Sequence, residues 1–331
     1  MRSETWLCAT ALALAFATPA FAQTPAASSP RLLPSAAAAY GEYQSEVSSI
    51  QSAPLKSANE LDSALNTFGT QNPDQLSSGW IAYSAMIAAQ EKDFAVAVKD
   101  IDAYYGRDRV MTGMRNDVGY ARTLKGGEKA LQGALQANSR DASRISSAAA
   151  FVKDQAYKLQ DVAWGKSRLK DAGGTANKLK VSAKTVKPIT DAAQKLFAGP
   201  DLNVVLASAS AAPSSSVWDK ISVFTASAPA AALSTLTPGA SSSAMKVDPK
   251  RESTANRIVT LAAFHVLEAD STNKDDVKAA MKDKPTYDCI DWSQLQLQAC
   301  VSAAYTRADL SFCLAEHAIG DAGACFSNVA K

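Results

Sequence analysis

The sequence predicts an all-α protein, a multi-helix bundle with a C-terminal helical hairpin stapled by disulfides. Three observations carry this. Apolar residues recur three and four apart through most of the chain, the period of a helix with one buried face. Capping residues, proline and glycine fall where those stripes start and stop. Cys289, Cys300, Cys313 and Cys325 crowd into the last stretch as two nested pairs centred near residue 307, the sequence form of a hairpin.

Residues 1–22 read as a secretory signal. Arg2 gives a basic start, Leu7 to Ala17 an apolar core, and Ala20, Phe21 and Ala22 a small-residue cleavage site before Gln23. Cys8 would leave with that segment, and the mature chain would have about 309 residues. No later stretch offers the roughly 18 uninterrupted apolar residues of a membrane span. The expected compartment is therefore oxidising, most simply a bacterial periplasm, or the exterior if the protein is secreted. Of 34 basic and 32 acidic residues only Arg2 and Glu4 would be removed, and the near balance that remains argues against nucleic-acid binding.

Residues 23–34, rich in Pro, Ala and Ser, read as a disordered leader. Ala36, Tyr40, Tyr43, Val47 and Ile50 then form the stripe of a first helix, which Pro54 ends. Ser57 and Glu60 have capping-box spacing ahead of Leu61, Leu65 and Phe68, and Gly69 stops that helix. Asn72 and Pro73 open a third helix with Leu76, Trp80, Tyr83 and Ile87 inward. Phe94, Val98, Ile101 and Tyr105 mark a fourth, closed by Gly106, and Met111, Met114, Val118 and Ala121 continue the pattern to Gly126. A segment from Glu128 to Asn138 is followed by a long helix from about Ser139 to Ala172, its seam running through Ile145, Ala148, Val152, Leu159, Val162 and Leu169. Leu179, Ser182, Val186, Ile189, Ala193 and Leu196 repeat the spacing, with a kink expected at Pro188. Residues 35–198 thus read as a bundle with consecutive helices antiparallel.

Between 199 and 250 charge nearly disappears and Ala, Ser and Pro dominate, the composition of a crossover or linker with Trp218 and Phe224 as anchors. Residues 251–331 form the C-terminal region. Its first helix, about Glu252 to Ala269, carries Ile258, Val259, Leu261, Phe264, Val266 and Leu267 around most of its circumference, so it calls for burial on all sides and for docking on the bundle. A short helix from Asp275 to Lys282 leads through Pro285 to the hairpin, predicted as one helix from Asp291 to Tyr305, with Leu295 and Ala303 facing inward, and a second from an Asp309 cap to Ile319 before Gly320.

Cys289 and Cys300 lie about 16 Å apart along one helix at about 1.5 Å per residue, too far for a bridge spanning about 7 Å between Cα atoms. The preferred pairing is Cys289 with Cys325 and Cys300 with Cys313, each worth roughly 3 kcal/mol in a chain-entropy model. The alternative pairs Cys313 with Cys325 and requires the first helix to start late. Zinc is the sharper reading of four cysteines, with His317 one turn after Cys313. Gaps of ten, twelve and eleven residues lack the usual close pair, so disulfides are preferred and no metal ligands are assigned.

Catalytic signals are sparse, and neither catalytic nor cofactor-binding residues are assigned. His265 and His317 are the only histidines; the first fits a hydrogen-bonded core position, and the second diverges from neighbouring Glu316. Ser167 to Lys170 has the S-x-x-K form of a serine enzyme without its companion motifs. Asp275 with Asp276, Asp288 with Asp291, and Glu268 with Asp270 are the carboxylate pairs nearest in sequence. Ten basic and four acidic residues between Lys153 and Lys195 suit an anionic partner or, more simply, a solvated face. Trp80, Tyr83, Tyr104 and Tyr105 are expected in the core.

The resulting expectation is a non-enzymatic exported cell-envelope protein that binds or organises an envelope partner, protein or glycan. The alternatives are a peptidoglycan- or glycan-acting hydrolase using a carboxylate pair, and a small-ligand carrier with an apolar pocket between helices.

Overall fold

The structure, a computed structural model, describes residues 31–199, 202, 203, 206 and 244–330. The expected signal peptide, the leader as far as residue 30 and most of the crossover, including Trp218 and Phe224, lie outside the described residues. Among the described residues there are no strands, only two isolated bridges, Arg168 to Thr306 and Val247 to Ala330.

The first half comprises α1 (Leu32–Ser52), α2 (Ala58–Gly69), α3 (Pro73–Ala88), α4 (Lys92–Tyr105), α5 (Arg107–Asn116), the single turn α6 (Tyr120–Thr123), α7 (Gly127–Leu159), α8 (Ala172–Ser182) and α9 (Asp191–Ala198). After the crossover a short 3-10 turn, Pro249–Arg251, precedes α10 (Glu252–Val266), α11 (Ala269–Thr272), α12 (Lys274–Met281) and α13 (Lys284–Ala303). The chain turns back into α14 (Arg307–Cys313), widens into a π-helical stretch, Leu314–Asp321, and ends in α15 (Ala322–Ser327).

Local signals behaved as their chemistry requires. Ser57 and Glu60 close a reciprocal capping box on α2, and the Asn72 side chain accepts from the Gln75 amide at 2.9 Å ahead of Pro73. At the start of the chain the reading is corrected. Residues 32–34 belong to α1, with Leu33 fully buried, because the packing of Leu33 outweighs the disorder that proline and alanine suggest.

The centre of the molecule is α3. The sequence offered it one apolar stripe, yet Ile81, Ala82, Ala85, Met86 and Ala88 are as buried as Leu76, Trp80, Tyr83 and Ile87. Small residues make this possible. A Cβ on Gly79 would stand 2.9 Å from the Ala36 carbonyl oxygen and 3.0 Å from the Tyr40 amide, so only glycine lets α1 lie this close. From its other sides α3 is covered by α7, α10 and α13. The main packing partners are therefore distant in sequence, and the antiparallel pairing of consecutive helices does not describe the bundle. The all-round apolar surface of α10 is buried as its composition demands, with Ile258, Val259, Leu261 and Phe264 at 1% exposure or less.

Three further boundaries differ from expectation. α7 is one helix of 33 residues with no break at Asn138. That asparagine is buried and accepts from the Ser84 hydroxyl of α3 at 3.1 Å, while Asp141, one turn on, accepts from the Tyr40 hydroxyl at 3.3 Å. Polar residues that read as a loop are thus internal pairing partners. The helix also ends at Leu159, not near Ala172, so Val162 is exposed. Residues 165–169 instead run beside the hairpin turn, with backbone bonds from Leu169 to Tyr305, Arg307 to Ser167 and Ala308 to Gly165. Around Pro188 the chain does not kink but separates α8 from α9, leaving Val186 exposed.

The C-terminal hairpin carries Cys289 bonded to Cys325 and Cys300 bonded to Cys313, with Cα separations of 5.6 Å in both. Its first helix starts earlier than predicted, at Lys284 behind an Asp283 cap, and it buries Ile290, Leu297 and Val301 while Leu295 stays 45% exposed. The second helix is capped by Thr306, not Asp309; Asp309 is the third residue of the box and accepts from the Thr306 amide at 2.8 Å. Gly320 does not stop it. A mid-helix glycine costs about 1 kcal/mol, less than is gained by carrying Cys325 to its bridge and Phe326 into the core. Phe326 stacks on Trp80 with ring centroids 5.8 Å apart and meets Tyr40 and Tyr43 edge-on at 5.2 and 6.0 Å. The end of the chain therefore plugs the gap between α1 and α3.

Candidate functional site

A groove of about 690 Å³ runs between α1, α2 and α9, within the size range of small-molecule sites. It forms because α1 has two faces. Tyr40, Tyr43, Val47 and Ile50 turn inward, which places Glu42, Ser45, Glu46 and Ser49 on another side at spacings of three and four. Pro54 then breaks the chain, and α2 contributes Ala64 and Phe68 as an apolar wall. On the third side α9 supplies Leu196 and Phe197.

Glu42 and Glu46 share one wall, and their surroundings separate them. Glu42 Oε2 accepts from the Thr190 amide at 3.0 Å, at the capped start of α9. Glu46 Oε2 accepts from Gln71 Nε2 at 2.9 Å. Burial pushes the Glu46 carboxyl up to about 7; the Lys187 ammonium opposes this, neighbouring Glu42 adds to it, and the Gln71 bond works against it. Lys187 is itself held below the ordinary lysine value by burial, against the pull of Glu46 and Glu42. Its Nζ donates to the Thr67 carbonyl at 2.7 Å, and Gln75 grips its backbone through two bonds of 2.8 and 2.9 Å. A small cavity of about 30 Å³ behind this pair is lined by Tyr43, Glu46, Gln71 and Lys187, among others. At the groove's other end Glu60 and Lys56 line the opening, but Glu60 Oε2 is engaged by the Lys56 and Ser57 amides.

None of the carboxylate pairs singled out from the sequence lies in the groove. Asp276 pairs with Arg115 at 3.2 Å and Asp288 with Lys284 at 2.6 Å. Asp270 is fully buried and accepts from Arg31 at 2.8 and 3.0 Å, while Asp270 Oδ2 lies 3.3 Å from His265 Nδ1. Burial alone would raise the Asp270 carboxyl, but the His265 and Arg31 bonds outweigh it and hold the group below the ordinary aspartate value. This cluster ties the start of α1 to the end of α10, where Glu268 turns the chain at a positive φ of 55°. His265 is thus hydrogen-bonded, as its apolar helix implied, but it is only partly buried and with Arg31 lines a second groove of about 460 Å³.

His317 has a partner that its neighbour Glu316 could not be. Its Nδ1 lies 2.7 Å from Asp321 Oδ2, four residues on. The four cysteine sulfurs are consumed by the two bridges, which removes them as metal ligands. Ser167 donates to the Trp164 carbonyl at 2.5 Å and Lys170 is exposed, so the S-x-x-K string forms no serine-lysine pair. Most of the basic residues between Lys153 and Lys195 face solvent, Lys153 and Lys187 being partly covered. Trp80 and Tyr83 are core residues, whereas Tyr104 and Tyr105 are 81% and 50% exposed and pack on each other at 4.7 Å, contrary to expectation.

Glu42, Glu46 and the groove's serines look in sequence like solvated helix surface, and its apolar residues like ordinary core stripes. One signal was present: two glutamates four apart on one helix face repel each other, and the sequence places no basic residue between them. What joins them to Thr67, Lys187 and Leu196 is tertiary. No protein-family model, curated protein or solved structure matches the chain.

Proposed function

We propose that this chain is an exported, non-enzymatic protein of the cell envelope that binds an amphiphilic partner in the groove between α1, α2 and α9. The observation that carries the reading is the groove, an apolar floor of Ile50, Leu55, Phe68, Leu196 and Phe197 beneath a rim of serines and acids. Such a surface accepts an apolar chain and offers hydrogen bonds to a polar head. Export is supported by the signal-like pattern of residues 1–22 and by the two disulfides, which suit an oxidising compartment. Among the described residues no helix is long and apolar enough to cross a membrane.

A glycan hydrolase would draw on the same Glu46, whose raised pKa suits a general acid. It also needs a second carboxylate on the other side of the scissile bond. Glu42 stands one turn away on the same helix, and Glu60 is committed to capping α2. That arrangement favours binding over hydrolysis.

The test is native mass spectrometry and in-cell crosslinking of the mature protein taken from its own envelope fraction. The expected result is a reproducible bound species that is lost in Ala64→Trp, which fills the groove. Repeated recovery of empty protein, with no crosslinked partner, would overturn the reading.

A further inference from the structure

We infer that the groove selects a cationic amphiphile, an alkyl chain bearing an ammonium head, with Glu46 and Glu42 as its counter-charges. This rests on the groove being a binding site, and it names the ligand class.

The argument begins with charge. Among the described residues the lining holds three carboxylates, Glu42, Glu46 and Glu60, against one ammonium, Lys56. Glu60 stands beside Lys56 and is bonded by the Lys56 and Ser57 amides, whereas Glu42 and Glu46 share the one ammonium of Lys187, which leaves a net negative charge at their end when both are ionised. The floor beside that end is apolar, built from Ile50, Ala64, Phe68, Ala193 and Leu196. A negative wall along an apolar trough complements a molecule with a positive head and an apolar tail. An anionic head would meet repulsion, and a neutral head would leave the two half-buried carboxylates with Lys187 alone as counter-charge.

The groups facing Glu46 come from several elements. Glu42 lies on its own helix, Gln71 follows α2, Lys187 belongs to the α8–α9 connection, and Tyr43 is held in α1 on the core side. Among the described residues Lys187 is the only cation of this group, and it is anchored to the Thr67 carbonyl. Burial and Glu42 make ionised Glu46 unfavourable, and the charge of an arriving ammonium offsets both. Binding and ionisation are thereby linked: the cation draws the proton off Glu46, and protonation of Glu46 releases the cation. The groove would bind its ligand most tightly in mildly alkaline surroundings, and its affinity would weaken progressively as pH falls below about 7.

The experiment is isothermal titration of the mature protein with decyltrimethylammonium, decyl maltoside and decyl sulfate, each below its micelle concentration, at pH 5.5 and 8. The expected result is that the ammonium binds about tenfold more tightly than the maltoside at pH 8, equivalent to one well-placed charge pair. That advantage should shrink severalfold at pH 5.5, and Glu46→Gln should remove its pH dependence. Equal affinity for the ammonium and the maltoside at both pH values, or preference for the sulfate, overturns the ligand class while leaving the groove a binding site. If none of the three binds, the groove reading falls as well. Circular dichroism and thermal melting of the variant keep a folding defect distinct from a lost counter-charge.

Discussion

Replacing Glu46 with glutamine should stabilise the protein at pH 8 and change little at pH 4. Burial raises this carboxyl from the ordinary glutamate value of 4.5 to about 7. Between those two values the folded chain binds more protons than the unfolded chain, so stability falls as pH rises through the window and levels off above it. A gap of about 2.5 pH units corresponds to about 3 kcal/mol at roughly 1.4 kcal/mol each. Glu46 is partly exposed, and solvent screening brings the expected cost down to about 1–2 kcal/mol. The attraction of Lys187 is already contained in the value of 7, since it acts on the same carboxylate. Glutamine has the size and hydrogen-bonding edge of the protonated acid without its charge, so the variant escapes the loss. Urea unfolding of both proteins at pH 4, 6 and 8 reads the effect. The variant should exceed the wild type by about 1–2 kcal/mol at pH 8, with the difference vanishing towards pH 4. Parallel stability curves at all three pH values would refute the reasoning, because other titrating groups are common to both proteins and drop out of the comparison.

Phe326→Ala should destabilise the fold by about 3–5 kcal/mol, seen as a lowered urea midpoint, because it empties the centre of the Trp80, Tyr40 and Tyr43 cluster. Replacing Cys300 and Cys313 with serine should cost about 3 kcal/mol for a separation of 13, and replacing Cys289 and Cys325 about 4 kcal/mol for a separation of 36, with reduction of the wild type giving the combined loss in the same assay. Gly79→Ala should lower the melting temperature by several degrees, since its Cβ would press on the Ala36 carbonyl and force α1 away from α3. Arg31→Ala leaves buried Asp270 with His265 as its remaining side-chain partner and should cost about 1–3 kcal/mol. The folded Asp270 carboxyl lies below its ordinary value, so its stabilisation is present above about pH 4 and lost as pH falls through the folded value. Acid titration of Arg31→Ala should therefore show unfolding beginning at higher pH than in the wild type.

Local chemistry carried a good deal of this. Ser57 with Glu60 and Asn72 with Pro73 announce helix starts because capping depends on residues within one turn of each other. Helix rise argues against Cys289 reaching Cys300, and the nested spacing about residue 307 made the crossing bridges the first choice of the remaining pairings; the structure has those bridges. The all-round apolar surface of α10 announces its burial for a similar reason, since no solvated face exists to turn outward. Errors arose where a tertiary partner outweighs a local preference. Asn138 stays helical with its amide oxygen bonded by Ser84 across to α3, and Gly320 is passed because Cys325 and Phe326 lie beyond it. Pro34 sits inside α1 because Leu33 is packed.

By itself the sequence determined the helical class, the capped starts of α2 and α3, a preferred disulfide pairing and the apolar demand of α10. These depend on interactions between residues close in the chain, or on distances that helix geometry alone sets. The tertiary structure decided that α3 and not a consecutive bundle is the centre, that Phe326 completes the core, and that Glu42 and Glu46 line an apolar groove closed by α9. Each of those depends on which surfaces meet, with partners as far apart in the chain as Trp80 and Phe326. A polar helix face reads the same in sequence whether water or another helix lies opposite it.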